Sequence, residues 1–107
     1  MGLLREQVAL ITGAGGGIGR GVALSFAKEG AAVVVAELDE VSGAAVAEEL
    51  RALGAQAVFI RTDVSKKVDI EAAIAAAVSH FGGLDILVNN AFAPTPNVLL
   101  DKIAQFL

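Results

Sequence analysis

Four short runs of apolar, largely β-branched residues alternate with segments whose apolar residues recur at helical spacing, and this alternation narrows the possible folds more than any other feature. The runs are Gln7–Thr12, Ala32–Ala36, Gln56–Arg61 and Leu84–Asn89. Each is nearly continuous rather than alternating in polarity. Strands of that kind are covered on both faces and belong to parallel sheets, where crossover helices supply the cover. Between the runs, Ile18, Val22 and Phe26 mark a helix that stops at Gly30. Gly43, Val46, Leu50 and Leu53 mark a second, closed by Gly54. Ile70, Ile74, Ala77, Val78 and Phe81 mark the buried face of a third, with Ser65 as its cap and Gly82 and Gly83 at its end. Right-handed crossovers then predict an α/β fold, an incomplete doubly wound parallel sheet of four strands in the order 3-2-1-4.

Composition closes off several classes of function. The 107 residues suffice for one domain, and 55% of them are apolar, as strands buried on both faces require. A formal charge of −4 supplies no basic face for nucleic acid. With no Cys, Trp or Tyr and a single histidine, His80, the chain offers no disulfide, thiolate nucleophile, Cys-based zinc site, His cluster or phenol. His80 falls in the last turn of the third helix, where a cation complements the dipole, and is assigned no function. Arg20, Lys28, Glu37, Arg51 and Asp63 interrupt any stretch of the ~18 apolar residues that a membrane span needs. The start, Met1 to Glu6, has no long apolar segment and carries Glu6 where a myristoylation signal has Ser or Thr. These features predict a soluble, cytoplasmic protein without membrane or nucleic-acid partners.

The first strand–helix turn reads Thr12-Gly13-Ala14-Gly15-Gly16-Gly17-Ile18-Gly19. Glycines at such a junction let the chain turn tightly and bring backbone N–H groups close to a diphosphate, while the following helix aims its N-terminal N–H groups at the same anion. Spacing sorts the candidates. A P-loop needs Gly-Lys-Ser/Thr, and no lysine follows before Lys28. G-x-G-x-x-G from Gly13 puts Ile18 in the third place and fails. Thr-Gly-x-x-x-Gly-x-Gly fits through Gly13, Gly17 and Gly19. G-x-G-x-G also fits, through Gly13, Gly15 and Gly17, which keeps an S-adenosylmethionine-binding, methyltransferase-like domain in play.

Eighteen residues beyond Gly19, at the end of the second strand, stands Glu37, placed to accept hydrogen bonds from ribose hydroxyls; the alternative is an ordinary surface carboxylate. Its neighbours Asp39 and Glu40 open the second helix as dipole partners. Asp63-Val64 follows the third strand and Asn89-Asn90-Ala91 ends the fourth. The carboxyl ends of adjacent parallel strands face one crevice, so Gly13 to Gly19, Glu37, Asp63 and Asn90 are expected to converge there. Asp63 has a second reading as a helix cap, and Asn89 as a tie between strand ends.

These landmarks, in this order, resemble the N-terminal half of the short-chain dehydrogenase/reductase family, over roughly residues 5 to 92. The resemblance implies a Rossmann-like sheet and an NAD-dependent oxidoreductase acting on an alcohol or carbonyl. It implies a diphosphate held by Thr12, Gly13, Gly15, Gly16, Gly17, Ile18 and Gly19, the adenosine ribose by Glu37, adenine by Asp63 and Val64, and the nicotinamide-side ribose by Asn90. NAD is expected in preference to NADP, because Glu37 repels a 2′-phosphate and Gly16 offers it no cation; Arg20 and Arg61 are the basic residues that could offset that repulsion. Two departures stand out. Phe92 occupies the position where the family's Asn-Asn-Ala-Gly motif has glycine, and the family's catalytic Ser and Tyr-x-x-x-Lys are absent from a chain without tyrosine. No residue is therefore nominated as catalytic, no metal is expected, and these residues alone are predicted to be inactive.

The expected organisation is a dinucleotide-binding half domain over residues 1–92, followed by an irregular or partly helical tail over 93–107, where Pro94 and Pro96 loosen the pattern and Val98 to Leu107 complete no unit. The fourth strand is then an open edge, which predicts self-association. A second reading makes the chain a non-catalytic NAD-binding or pairing module.

Overall fold

A computed structural model of the chain describes residues 2–91; Phe92 and the expected tail over 93–107 lie outside the described residues. The order is β1 (Val8–Thr12), α1 (Gly17–Lys28), β2 (Ala32–Glu37), α2 (Glu40–Ala52), β3 (Ala57–Arg61), α3 (Lys67–Phe81) and β4 (Ile86–Asn89). The sheet is parallel, in the order β3-β2-β1-β4, with Thr12 opposite both Ala36 and Asn89 and with Glu37 opposite Arg61. All of β1 is buried, as is β2 as far as Ala36. Alternate residues of these strands serve opposite faces. Ala9, Ile11, Val33 and Val35 pack under α1 and α2 with Ala23, Val46 and Leu50, while Val8, Leu10, Val34 and Ala36 meet Ile70, Ala73, Ile74 and Ala77 of α3. The result is a helix–sheet–helix sandwich. No helix among the described residues is long and apolar enough to cross a membrane.

The helix ends follow from local chemistry. After α1 and α2 the chain turns back identically: Gly30 N–H donates to Ala27 O and Ala31 N–H to Phe26 O, and Gly54 N–H donates to Arg51 O and Ala55 N–H to Leu50 O. Gly30 and Gly54 take φ of 99° and 90°, the left-handed conformation that closes such caps.

The buried face of α3 departs from the expected one at Val78, and two of the residues that marked α1 and α2 are exposed. Ile18 is 78% exposed, and the face of α1 against the sheet is Gly19, Ala23 and Ala27, flanked by Val22 and Phe26. Leu53 lies past the end of α2 and is exposed, and Val78 is exposed on α3, where Ala73 takes the buried place. A helix laid closely on a sheet presents small residues at the line of nearest approach, and larger apolar residues fall to its sides. Ser65 is not the cap of α3. Lys66 occupies that position without a side-chain bond, and Ser65 belongs to a turn ahead of it.

Leu50 is fully buried while Leu53 is half exposed. Leu50→Ala is expected to cost about 2–5 kcal/mol and Leu53→Ala less than about 0.5 kcal/mol. Urea denaturation checks the difference; equal losses would contradict the observed stripe.

Candidate functional site

The site is built at the carboxyl end of the sheet, starting from one hydroxyl. Thr12 ends β1 with 1% of its surface exposed. Its Oγ1 accepts the N–H groups of Asn90 and Ala91, each at 3.0 Å, and lies 3.4 Å from Val88 O and from Asn89 Oδ1 as acceptors. Asn89 thus ties two strand ends together. Asn90 is carried over the glycine turn, where its Nδ2 donates to Gly13 O at 3.2 Å.

The turn is packed as tightly as glycine allows. A Cβ on Gly19 would collide with the Gly13 carbonyl oxygen, which is backbone and cannot yield, and would sit 2.7 Å from Asn90 Nδ2. Gly13 takes φ of 65°, which sharpens the turn, and a methyl there would meet the Ala91 backbone at 3.1 Å. Gly16 and Gly17 differ, for a Cβ on either meets nothing within 4 Å. They form the open lip of the turn, with Ile18 exposed beside them.

Glu37 completes the wall. Its Oε1 accepts Gly15 N–H at 2.9 Å and its Oε2 accepts Asp39 N–H at 3.0 Å, so one carboxylate joins the end of β2 both to the glycine turn and to the start of α2. Gly15 has no room for a side chain, because Ser42 Oγ and Glu37 Cγ occupy it. Asp39 caps α2 by accepting Val41 N–H at 3.0 Å.

Beyond β3, Asp63 Oδ1 accepts both the hydroxyl and the N–H of Ser65, at 2.6 and 3.0 Å. The Ser65 hydroxyl first, and its N–H second, hold the Asp63 carboxyl below the ordinary carboxylate range, so it is an ionised acceptor at neutral pH. Asp63 therefore shapes its own turn and does not cap α3.

A cleft of about 280 Å³ opens among Gly13, Glu37, Leu38, Thr62, Asp63, Val64 and Ala91. The structure thus gathers Gly13, Glu37, Asp63 and Val64 around one hollow. Thr12 and Asn90 hold its floor, whereas Gly16, Gly17 and Ile18 stand outside its lining. Leu38, Thr62 and Ala91 were not expected from sequence. The signal for Thr62 is a polar residue directly after an apolar strand; it is buried, and its N–H donates to Glu37 O at 3.0 Å. Lys66 lies close enough to Asp63 to help hold its carboxyl low, whereas Arg20 and Arg61 are engaged with other carboxylates. Arg20 pairs with Glu49 through two nitrogens, and Arg61 Nη1 lies 3.7 Å from Asp69 Oδ2. Among the described residues no group of His, Asp or Glu could hold a metal ion.

Comparison with known proteins agrees with this geometry. Residues 7–104 match the family model of short chain dehydrogenase. A short chain dehydrogenase/reductase of Aspergillus oryzae is 48% identical over 89 residues, 82% of this chain and 34% of its own length. The 7alpha-hydroxysteroid dehydrogenase of Escherichia coli is 40% identical over 103 residues, 96% of this chain and 40% of its own. The crystal structure of a hydroxysteroid dehydrogenase from Escherichia coli superposes with a TM-score of 0.81 at 40% identity, over 88% of this chain and 40% of that one. A short chain dehydrogenase/reductase from Burkholderia phymatum in complex with NAD gives 0.77 at 40% identity, over 81% of this chain and 31% of that one. The chain thus spans about a third to two fifths of the length of these relatives, and over that span, in sequence and in fold, it belongs to the short-chain dehydrogenase/reductase family.

Proposed function

We propose that these residues are the NAD(H)-binding portion of a short-chain oxidoreductase that acts on an alcohol or carbonyl substrate. One observation carries the reading. Among the described helices, α1 alone begins with neither a side-chain cap nor an acidic residue in its first turn, and it opens on the bare lip of Gly16 and Gly17. An uncapped helix N-terminus beside open space suits a diphosphate, with Gly13, Gly15, Gly19 and Ile18 around it. In this reading Glu37 accepts the hydroxyls of the adenosine ribose, Asp63 and Val64 face the adenine, and Asn90, with Thr12 beneath it, takes the nicotinamide-side ribose. The cofactor, when bound, supplies the hydride acceptor; the residues of this chain bind and orient it. The Burkholderia phymatum relative, solved with NAD, supports the choice of ligand.

NAD is preferred over NADP in this proposal. A 2′-phosphate ~4 Å from Glu37 meets about 4 kcal/mol of repulsion per charge at an effective dielectric of ~20, before solvent screening. Arg20 and Arg61 are both engaged with other carboxylates. After screening, the expected preference is about 30-fold, or about 2 kcal/mol. Glu37→Gln keeps an acceptor for Gly15 N–H and removes the charge, so it is expected to bring the two affinities within about threefold. Calorimetric titration with NAD, NADP and S-adenosylmethionine tests this; equal affinities in the unmodified chain, or tighter binding of S-adenosylmethionine, would overturn the assignment.

The acid/base group of the reaction lies outside these residues in the same reading. Hydride transfer from an alcohol requires loss of the hydroxyl proton, and a positioned acid–base group commonly contributes about 10² to 10⁴-fold. With no tyrosine in the chain, NAD reduction with an alcohol panel is expected to stay at the no-enzyme background. Reproducible reduction above that background would show that another residue serves as the base.

The partner side of the proposal rests on β4. It is an edge strand of the described sheet, its Ile86, Leu87 and Val88 half-buried, and an apolar edge without a neighbour among the described residues invites pairing with a second copy. Sedimentation is expected to show dimers or larger species, reduced by NAD because the ligand binds only the folded form. A monomer across the concentration range would count against the free edge.

A further inference from the structure

Asp63 N–H lies where the sheet has run out of acceptors. The preceding amide, Thr62 N–H, donates to Glu37 O on β2. Successive strand amides point in opposite directions, so Asp63 N–H points away from β2, and β3 is an edge strand of the described sheet, with no neighbour on that side among the described residues. Its acceptor comes instead from α3: Asp69 Oδ2 takes this N–H at 2.9 Å.

That bond differs in kind from the others that hold Asp63. The bonds from Ser65 to Oδ1 and from Lys66 N–H to Asp63 O are all made within residues 63–66. They fix the shape of the turn but not its direction relative to the sheet. Asp69 stands on a helix anchored to the sheet by the buried Ile70 and Ile74. Its carboxylate is 21% exposed and also faces the Arg61 guanidinium. Backbone bonds from Asp69 and Ile70 N–H to Lys66 O join α3 to the far end of the turn, and the Asp69 carboxylate adds the side-chain bond made directly to Asp63, the residue that lines the cleft.

We propose that Asp69 is a positioning residue for the adenine-facing wall of the cleft, holding Asp63 and Val64 where they meet the base; the inference rests on the NAD(H)-binding reading above. An ionised Asp63 accepts from the exocyclic amine of adenine and the Val64 amide donates to a ring nitrogen, so a wall held in place distinguishes adenine from hypoxanthine, which reverses both partners.

The test uses the whole 107-residue chain and compares NAD with nicotinamide hypoxanthine dinucleotide by calorimetry. The unmodified chain is expected to prefer NAD by about tenfold, the value of a hydrogen bond pair in a partly wet site. Asp69→Ala is expected to reduce the preference to about threefold or less. Asp69→Asn loses the charge, the dipole contribution and the attraction to Arg61, but keeps an oxygen for Asp63 N–H, and is expected to retain the preference. If Asp69→Ala does not fold, Asp69→Ser replaces it; serine keeps a polar residue in the first turn but ends one bond short of the carboxylate oxygen. Retention of the full preference in Asp69→Ala or Asp69→Ser would overturn the inference, as would its loss in Asp69→Asn, which would assign the effect to charge. Equal binding of the two dinucleotides by the unmodified chain would overturn it as well. No NAD binding by the unmodified chain would instead remove the underlying reading, and this inference with it.

Discussion

Thr12 ends the first strand with a buried hydroxyl that accepts the Asn90 and Ala91 N–H groups at 3.0 Å each, and this one oxygen joins β1 to the chain leaving β4. A hydrogen bond of this kind is worth about 0.5–1.5 kcal/mol, so the two amides together hold the strand ends in register against local loosening. Asn90 then lies over Gly13, and Gly19 can approach the Gly13 carbonyl only because neither the turn nor the helix start carries a Cβ there. The width of the cleft floor follows from these contacts. A larger residue at position 19 would separate α1 from β1 and move the helix N-terminus away from the strand ends.

The rest of the cleft is organised by carboxylates that accept backbone N–H groups where secondary structure ends. Glu37 serves Gly15 and Asp39, Asp39 serves Val41, Asp63 serves Ser65, and Asp69 serves Asp63. Glu37 and Asp69 link one element to another, while Asp39 and Asp63 shape their own turns, so the loops take their positions from the sheet and helices. The same groups gather carboxylates at this end of the molecule; Arg61 faces Asp69, Lys66 lies near Asp63, and Arg20 is turned toward Glu49 across α1 and α2.

Much of this was legible in the residues. Continuous apolar runs marked strands covered on both faces, and Gly30 and Gly54 marked helix ends that the structure closes with left-handed glycines. The readings that missed share a cause. Val78 was placed on the buried face of the third helix, and Ile18 and Leu53 served as helix markers, because all three are large and apolar, yet all three are exposed and the positions nearest the sheet include Gly19, Ala23 and Ala73. Burial depends on the line of closest approach between helix and sheet, which periodicity locates only to within about one residue. Ser65 was read as a cap from its residue type, but the Asp63 carboxylate takes its hydroxyl and N–H first.

By itself the sequence determined the α/β alternation, the strand order, and the residue types gathered at the carboxyl end of the sheet, because these rest on local periodicity, the handedness of crossovers and the steric freedom of glycine. It also marked Glu37 and Asp63 by their place after apolar strands. Tertiary structure alone decided which partners those carboxylates take, that Arg20 and Arg61 are held by Glu49 and Asp69, and that a helix residue six positions beyond Asp63 anchors the turn after β3. The physical reason is that a hydrogen bond forms only between groups brought within about 3 Å, and which groups meet is settled by how helices seat on a sheet, a distance that no single segment of the chain encodes.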